Sequence, residues 1–199
     1  MNSTSQTPGG ETPTRLNLGC GQYMKPGFIN VDAAPNTNPD VRWDLDSYPY
    51  PFEDGSMTLI EMDHALEHLR QPFQAMIECH RILRPGGQLV IRVPHFSRGF
   101  THPDHKAGFD VGFPLYFDPS FKGGYTGTEL IHVSTRMCWY AQPYLKKATL
   151  SPAAHAFGST LGAIIDVLAN LSPYFTSRIW CFWVGGFEEV EFRFEKPRT

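Results

Sequence analysis

Residues 16–32, LNLGCGQYMKPGFINVD, restrict the possible folds of this chain more than any other stretch. A hydrophobic segment runs into Gly19-Cys20-Gly21, and a second one, 28–31, ends on the acid Asp32. Glycines at the C-terminal end of a strand let the backbone approach a ligand closely, because no Cβ intervenes. A carboxylate closing the next strand lies beside that ligand and can accept two ribose hydroxyls. The pattern predicts a nucleoside cofactor at the C-terminal edge of a parallel sheet. A nicotinamide site would need GxGxxG opening a helix; here Met24 stands at the third glycine and no helical pattern follows.

The rest of the composition bounds the answer. At 199 residues the chain suits one domain with a proper core. A net charge of −3 gives no electrostatic footprint for nucleic acid. Cys20, Cys79, Cys138 and Cys181 form no CxxC pair, which argues against a disulfide framework or a zinc ribbon and for a reducing, cytoplasmic setting. Residues 1–14 are polar and read as a disordered tail without a targeting signal. No membrane span is expected, since the most apolar stretch, 153–171, contains His155, Asp166 and Asn170.

Short apolar strands alternate with helical stretches over residues 15–93, the pattern of a parallel α/β sheet. Strands are expected at 15–18, 28–31, 41–45, 57–62 and 88–93. The first two are joined by a loop where a crossover helix is usual. Pro72 opens an amphipathic helix with Phe73, Met76, Ile77, His80 and Leu83 inward, and Pro85-Gly86-Gly87 stops it. Residues 95–127 are crowded with aromatic, His, Pro and Gly residues, and a loop this long is usually functional. A strand over 129–140 follows, then a helix opened by Ser151-Pro152, whose expected buried face is Phe157, Leu161, Ile164, Ile165, Leu168 and Leu171. Residues 179–194 read as a final interrupted strand.

LNLGCG…PGFINVD, WDLDSYPYPFEDGS, HALEHL and RILRPGG, in that order, resemble the class I S-adenosylmethionine-dependent methyltransferases, and among them the small "type 11" group. The resemblance covers residues 15–96. It implies a Rossmann-like α/β fold: a seven-stranded, mostly parallel sheet with an antiparallel last strand and helices on both faces. It implies S-adenosyl-L-methionine as cofactor and S-adenosyl-L-homocysteine as product. By the same resemblance Gly19, Cys20 and Gly21 line the methionine part, Asp32 holds the ribose, Asp44 and Leu45 the adenine, and His64 lies beside methionine and ribose; Asp46 competes with Asp44 for the adenine role, and Asp44 is favoured. Ser56-Met57-Thr58-Leu59-Ile60 departs from the family's SFDxI by lacking the acid.

His95, His102, Asp104 and His105 fall within PHFSRGFTHPDH. His102-x-x-His105 has ligand spacing, but the resemblance to a DPTHK-like stretch favours a base, so no metal is assigned. His105 is the first choice for general base and His95 the second, because an imidazole titrates near neutrality. Glu67 and His68 read as structural. The expected activity is methyl transfer to a small-molecule acceptor, on oxygen or nitrogen, chosen by lid insertions at 95–128 and 141–178. The expected chain is a monomer or homodimer. The alternative is a non-methylating protein on the same fold.

Overall fold

The computed structural model describes residues 14–99 and 102–198. All but Thr14 of the expected N-terminal tail lies outside them. Seven strands make one sheet: β1 (Arg15–Leu18), β2 (Ile29–Asp32), β3 (Val41–Arg42), β4 (Met57–Asp63), β5 (Leu83–Pro94), β6 (Ile131–Cys138) and β7 (Glu189–Glu195), in the order β3-β2-β1-β4-β5-β7-β6. β1 pairs in parallel with both β2 and β4, and β4 with β5, whereas β7 runs antiparallel between β5 and β6. Strand order thus reverses beside β1, the place where sheets of this kind bind ligands beyond the carboxyl ends of their strands. As expected, β1 passes to β2 without a helix.

Among the described residues five α-helices accompany the sheet: α1 (Pro72–Ile82), α2 (Phe96–Gly99), α3 (Pro143–Lys146), α4 (Pro152–Ala169) and α5 (Pro173–Arg178). α1 buries Ala75, Met76, Cys79 and Ile82 in the core with Leu16, Leu18, Ile60 and Leu89 of the sheet, while Phe73 stays partly exposed. Burying four such side chains is worth of the order of 5–10 kcal/mol at 1.5–3 kcal/mol for each large one, and this fixes the sheet against α1.

Four expectations fail. β3 is two residues long because the chain leaves the sheet at Trp43, whose indole N–H donates to Ser47 O (3.0 Å). Residues 180–182 form a 3-10 turn, not a strand, with Trp183 as its C-cap, and Gly185 at φ +76° and Gly186 at +85° follow. The apolar face of α4 points largely outward: Phe157 is 71% exposed and Ile164 56%. The helix instead lays Gly158 and Gly162 against Tyr140, where a Cβ would come within 2.9 and 2.6 Å of that side chain. Asp166 then accepts from the Trp139 N–H (2.7 Å), and Asn170 exchanges two 2.8 Å bonds with Met137. Polar ties to the end of β6 outrank periodicity here. α4 also has the length and apolarity of a membrane-crossing helix, with mean hydropathy 1.2 and 11% of it buried, contrary to the expectation of no such stretch.

The aromatic segment also differs from a simple lid. Phe109, Phe113 and Phe117 are buried, and the latter two pack on Phe192 and Phe194 of β7 at 5.5 and 5.7 Å between ring centres. They are core because β7 exposes an aromatic face that α1 alone does not cover.

Candidate cofactor and acceptor site

β1 ends on Gly19, at φ +69°, and Gly21 follows at +52°. Both conformations belong to the left-handed region that side chains resist. The Gly19 and Cys20 N–H groups donate to Val31 O (2.9 and 3.1 Å), folding the loop over the end of β2. Asp32 then grips it: one carboxylate oxygen accepts from the Gly21 N–H and the other from the Ala34 N–H, both at 2.7 Å. Each oxygen keeps a second lone pair for a ligand hydroxyl. A Cβ on Gly19 would stand 2.4 Å from Ala65 Cβ, so glycine is required where this loop meets the turn carrying His64.

A cavity of about 420 Å³ opens here, walled by Gly19, Cys20, Gly21, Lys25, Asp63 and His64. Four of the seven residues expected at the cofactor therefore come together. Asp32 touches the site through Gly21. Asp44 and Leu45 stand outside this cavity. Asp44 is exposed, holding the Asp46 N–H (2.9 Å), while Asp46 is engaged by Arg70 through its backbone N–H and Nε at 2.9 and 3.2 Å. Leu45 is buried, its Cδ1 3.7 Å from where a Cβ on Gly19 would stand.

His64 is the electrostatic centre of the site. It sits at φ +52° with Nε2 2.8 Å from Glu189 and Nδ1 3.4 Å from Glu67. Burial opposes its charging, but the bond to Glu189 and the proximity of Glu67 prevail and push its pKa up to about 9. It is an imidazolium at neutral pH. Lys25 pairs with Glu61 (2.5 Å) and Asp63 (2.7 Å), and Arg92 pairs with Asp63 (2.5 Å) and Glu191 (2.6 Å), so these charges behind the cavity form one paired network.

A second cavity, about 400 Å³, adjoins the first and shares His64 and Gln142 with it. Its walls carry Glu67, His68, His102, His105 and Lys146. His105 therefore lies in the cleft, as expected, but His95 does not. His95 is fully buried, its ring bonded to Ser97 Oγ (2.7 Å) and Ser177 Oγ (2.9 Å), and burial pushes its pKa down to about 4. It is a structural neutral imidazole, which corrects its place as second candidate base. Glu67 and His68, read from sequence as structural, belong to this cavity. Only the fold brings them there, through bonds from Lys106 N to Glu67 O (2.8 Å) and from Lys106 Nζ to His68 O (2.6 Å). Of the 141–178 segment, Ala141, Gln142, Tyr144, Leu145 and Lys146 cover the two cavities, whereas α4 covers neither.

The sheet order and the glycine loop define a class I methyltransferase fold. Residues 25–91 match the family model of the methyltransferase domain. A 37.1 kDa protein of transposon TN4556 from Streptomyces fradiae is 42% identical over 60 residues, covering 30% of this chain; the chain spans only 17% of that protein's length. Among solved structures, a SAM-dependent methyltransferase from Archaeoglobus fulgidus aligns at TM-score 0.55 and 17% identity, covering 92% of this chain and 85% of that one. SpnF, a (4+2) cyclase, aligns at TM-score 0.51 and 13% identity over 93% and 75%. These likenesses show the fold that the chain shares with S-adenosylmethionine-dependent methyltransferases, and residues 25–91 carry the sequence pattern of the methyltransferase domain.

Proposed function

We propose that this protein transfers the methyl group of S-adenosylmethionine to the oxygen or nitrogen of a small-molecule acceptor seated in the histidine-lined cavity. The observation that carries this reading is the adjacency of two cavities through the common walls His64 and Gln142. The bound cofactor supplies an electrophilic methyl carbon next to a sulfonium. The protein's residues do the rest. The Gly19–Gly21 backbone allows close approach, Asp32 offers its spare lone pairs to the ribose diol, and Asp44 is the remaining acid for the adenine end. The His64 imidazolium, held by Glu189, presents a positive charge at the wall between cofactor and acceptor. Positioning of acceptor against methyl carbon supplies most of the rate.

The acceptor's proton is removed in the cavity that contains His105, the residue proposed to carry this role. The polar lining, with His68, His102 and Lys146, favours an acceptor with hydroxyl, carboxylate or amino groups over a purely apolar one. The charge of −3 favours a metabolite over nucleic acid, and the proposed setting is the cytoplasm. The test has two stages. S-adenosylmethionine and S-adenosylhomocysteine should raise the melting temperature while NADH leaves it unchanged. Protein incubated with methyl-labelled cofactor and a metabolite extract should then release S-adenosylhomocysteine in step with label appearing in a small molecule. Stabilisation without any methyl transfer would favour a non-methylating reaction on this fold, as SpnF carries out.

A further inference from the structure

We propose that His68, His102 and His105 form a site for one divalent transition-metal cation, zinc or a first-row neighbour, in the acceptor cavity. The three imidazoles come from two distant segments, and each has a ring nitrogen within 4.8 Å of the others'. Ligands on a tetrahedral ion at Zn–N distances of 2.0–2.1 Å lie roughly 3.4 Å apart, so inward shifts of about an ångström complete the site. Ring centres are 4.9 Å apart for His68–His105 and His102–His105, and 5.6 Å for His68–His102. The Lys106 bonds to the backbone of Glu67 and His68 hold the two segments in this register.

Glu67 is the independent observation. Its side chain is buried, yet neither carboxylate oxygen accepts a hydrogen bond among the described residues. The His64 imidazolium at 3.4 Å balances its charge without hydrogen-bond geometry. A buried carboxylate normally has its lone pairs filled. Nε2 of His105 stands 3.9 Å from Glu67 Oε1. A small turn of that ring would make the bond to Glu67, which then orients the imidazole. This is the carboxylate–histidine–metal relay that orients ligating imidazoles elsewhere. His102 Nδ1 now accepts from the Asp104 N–H at 3.2 Å, an exposed bond that coordination replaces. The nearby cations are engaged elsewhere: Lys146 and Arg98 pair with Glu188, and Lys106 Nζ bonds His68 O.

Three imidazole ligands leave a coordination position for water or an acceptor heteroatom, as in catalytic rather than structural zinc sites. The cation then lowers the pKa of the hydroxyl it holds, so His105 promotes the proton removal proposed for it through the ion that it ligates. The inference deepens the function proposed above, since it concerns the same cavity, but metal binding is measured without turnover.

The experiment titrates chelator-treated full-length protein with Zn²⁺ by calorimetry and with Co²⁺ by visible absorption. One equivalent per chain should bind, with the intense visible bands of a low-coordinate Co²⁺ site. His102→Ala, at an exposed position that folding does not need, and His68→Ala should each weaken binding by 100-fold or more. Glu67→Gln should weaken it by about 10–100-fold. Thermal stabilisation by S-adenosylmethionine should survive in His102→Ala, which separates this site from the cofactor site. Absence of stoichiometric binding, or binding unchanged in both histidine variants, overturns the proposal.

Discussion

Replacing Gly19 with alanine tests how the glycine loop is locked to the turn beneath it. Two costs are expected. At φ +69° a side chain carries the left-handed penalty of about 1–2 kcal/mol. The new Cβ would also stand 2.4 Å from Ala65 Cβ, more than an ångström inside normal contact, and overpacking of this kind costs about 1–3 kcal/mol. Together they give roughly 2–5 kcal/mol. Gly21 is the internal control: it has φ +52° but nothing within 4 Å of its Cβ position, so Gly21→Ala should cost only about 1–2 kcal/mol. Ala65→Gly removes the opposing Cβ, so the Gly19→Ala/Ala65→Gly pair should regain about 1–3 kcal/mol relative to additivity. Urea unfolding measures all four proteins at constant m. Because Ala65 adjoins His64, Gly19→Ala should also weaken S-adenosylmethionine binding, and the double variant should restore part of it. Equal destabilisation by the two glycine variants, or a double-mutant coupling of zero, would refute the contact.

Asp32→Ala should cost roughly 2–4 kcal/mol of S-adenosylmethionine binding by calorimetry. It should also lower the melting temperature, since Asp32 holds the Gly21 and Ala34 N–H groups; loss of binding with no change in stability would contradict that double role. His105→Ala should reduce turnover by about 10²–10⁴-fold, whereas His95→Ala should reduce stability by about 1–3 kcal/mol, with turnover per folded molecule retained. The reverse pattern would restore His95 as the reactive group. Stability should also depend on pH through two histidines of opposite sign. His95, held down to about 4, contributes fully above its unfolded value of 6.5 and progressively less as pH falls from 6.5 to 4, by about 3 kcal/mol at ~1.4 kcal/mol per unit. His64, held up to about 9, contributes fully below 6.5 and is lost as pH rises through 9. Chemical denaturation across this range should show an acid limb missing in His95→Gln and an alkaline limb missing in His64→Gln.

The sequence by itself determined the glycine loop, the strands around it and the place of Asp32. Those features rest on local chemistry: positive φ needs glycine, a strand needs alternation or an apolar run, and Pro72 opens α1 wherever the chain goes. The placement of His105 on a loop at the cleft was legible because its motif is contiguous. His68 and Glu67 were not, since their role depends on Lys106 bringing a loop across to a turn 38 residues earlier in the chain. His95 shares a motif with His105, yet Ser177, 82 residues away, takes its ring into the core. Periodicity misjudged α4 for the same reason. An apolar stripe states which side chains prefer burial, but two glycines and Asp166 decided which side could approach Tyr140 and the end of β6. Local conformational cost is written in neighbouring residues, whereas the choice of who packs against whom exists only once distant segments share one space.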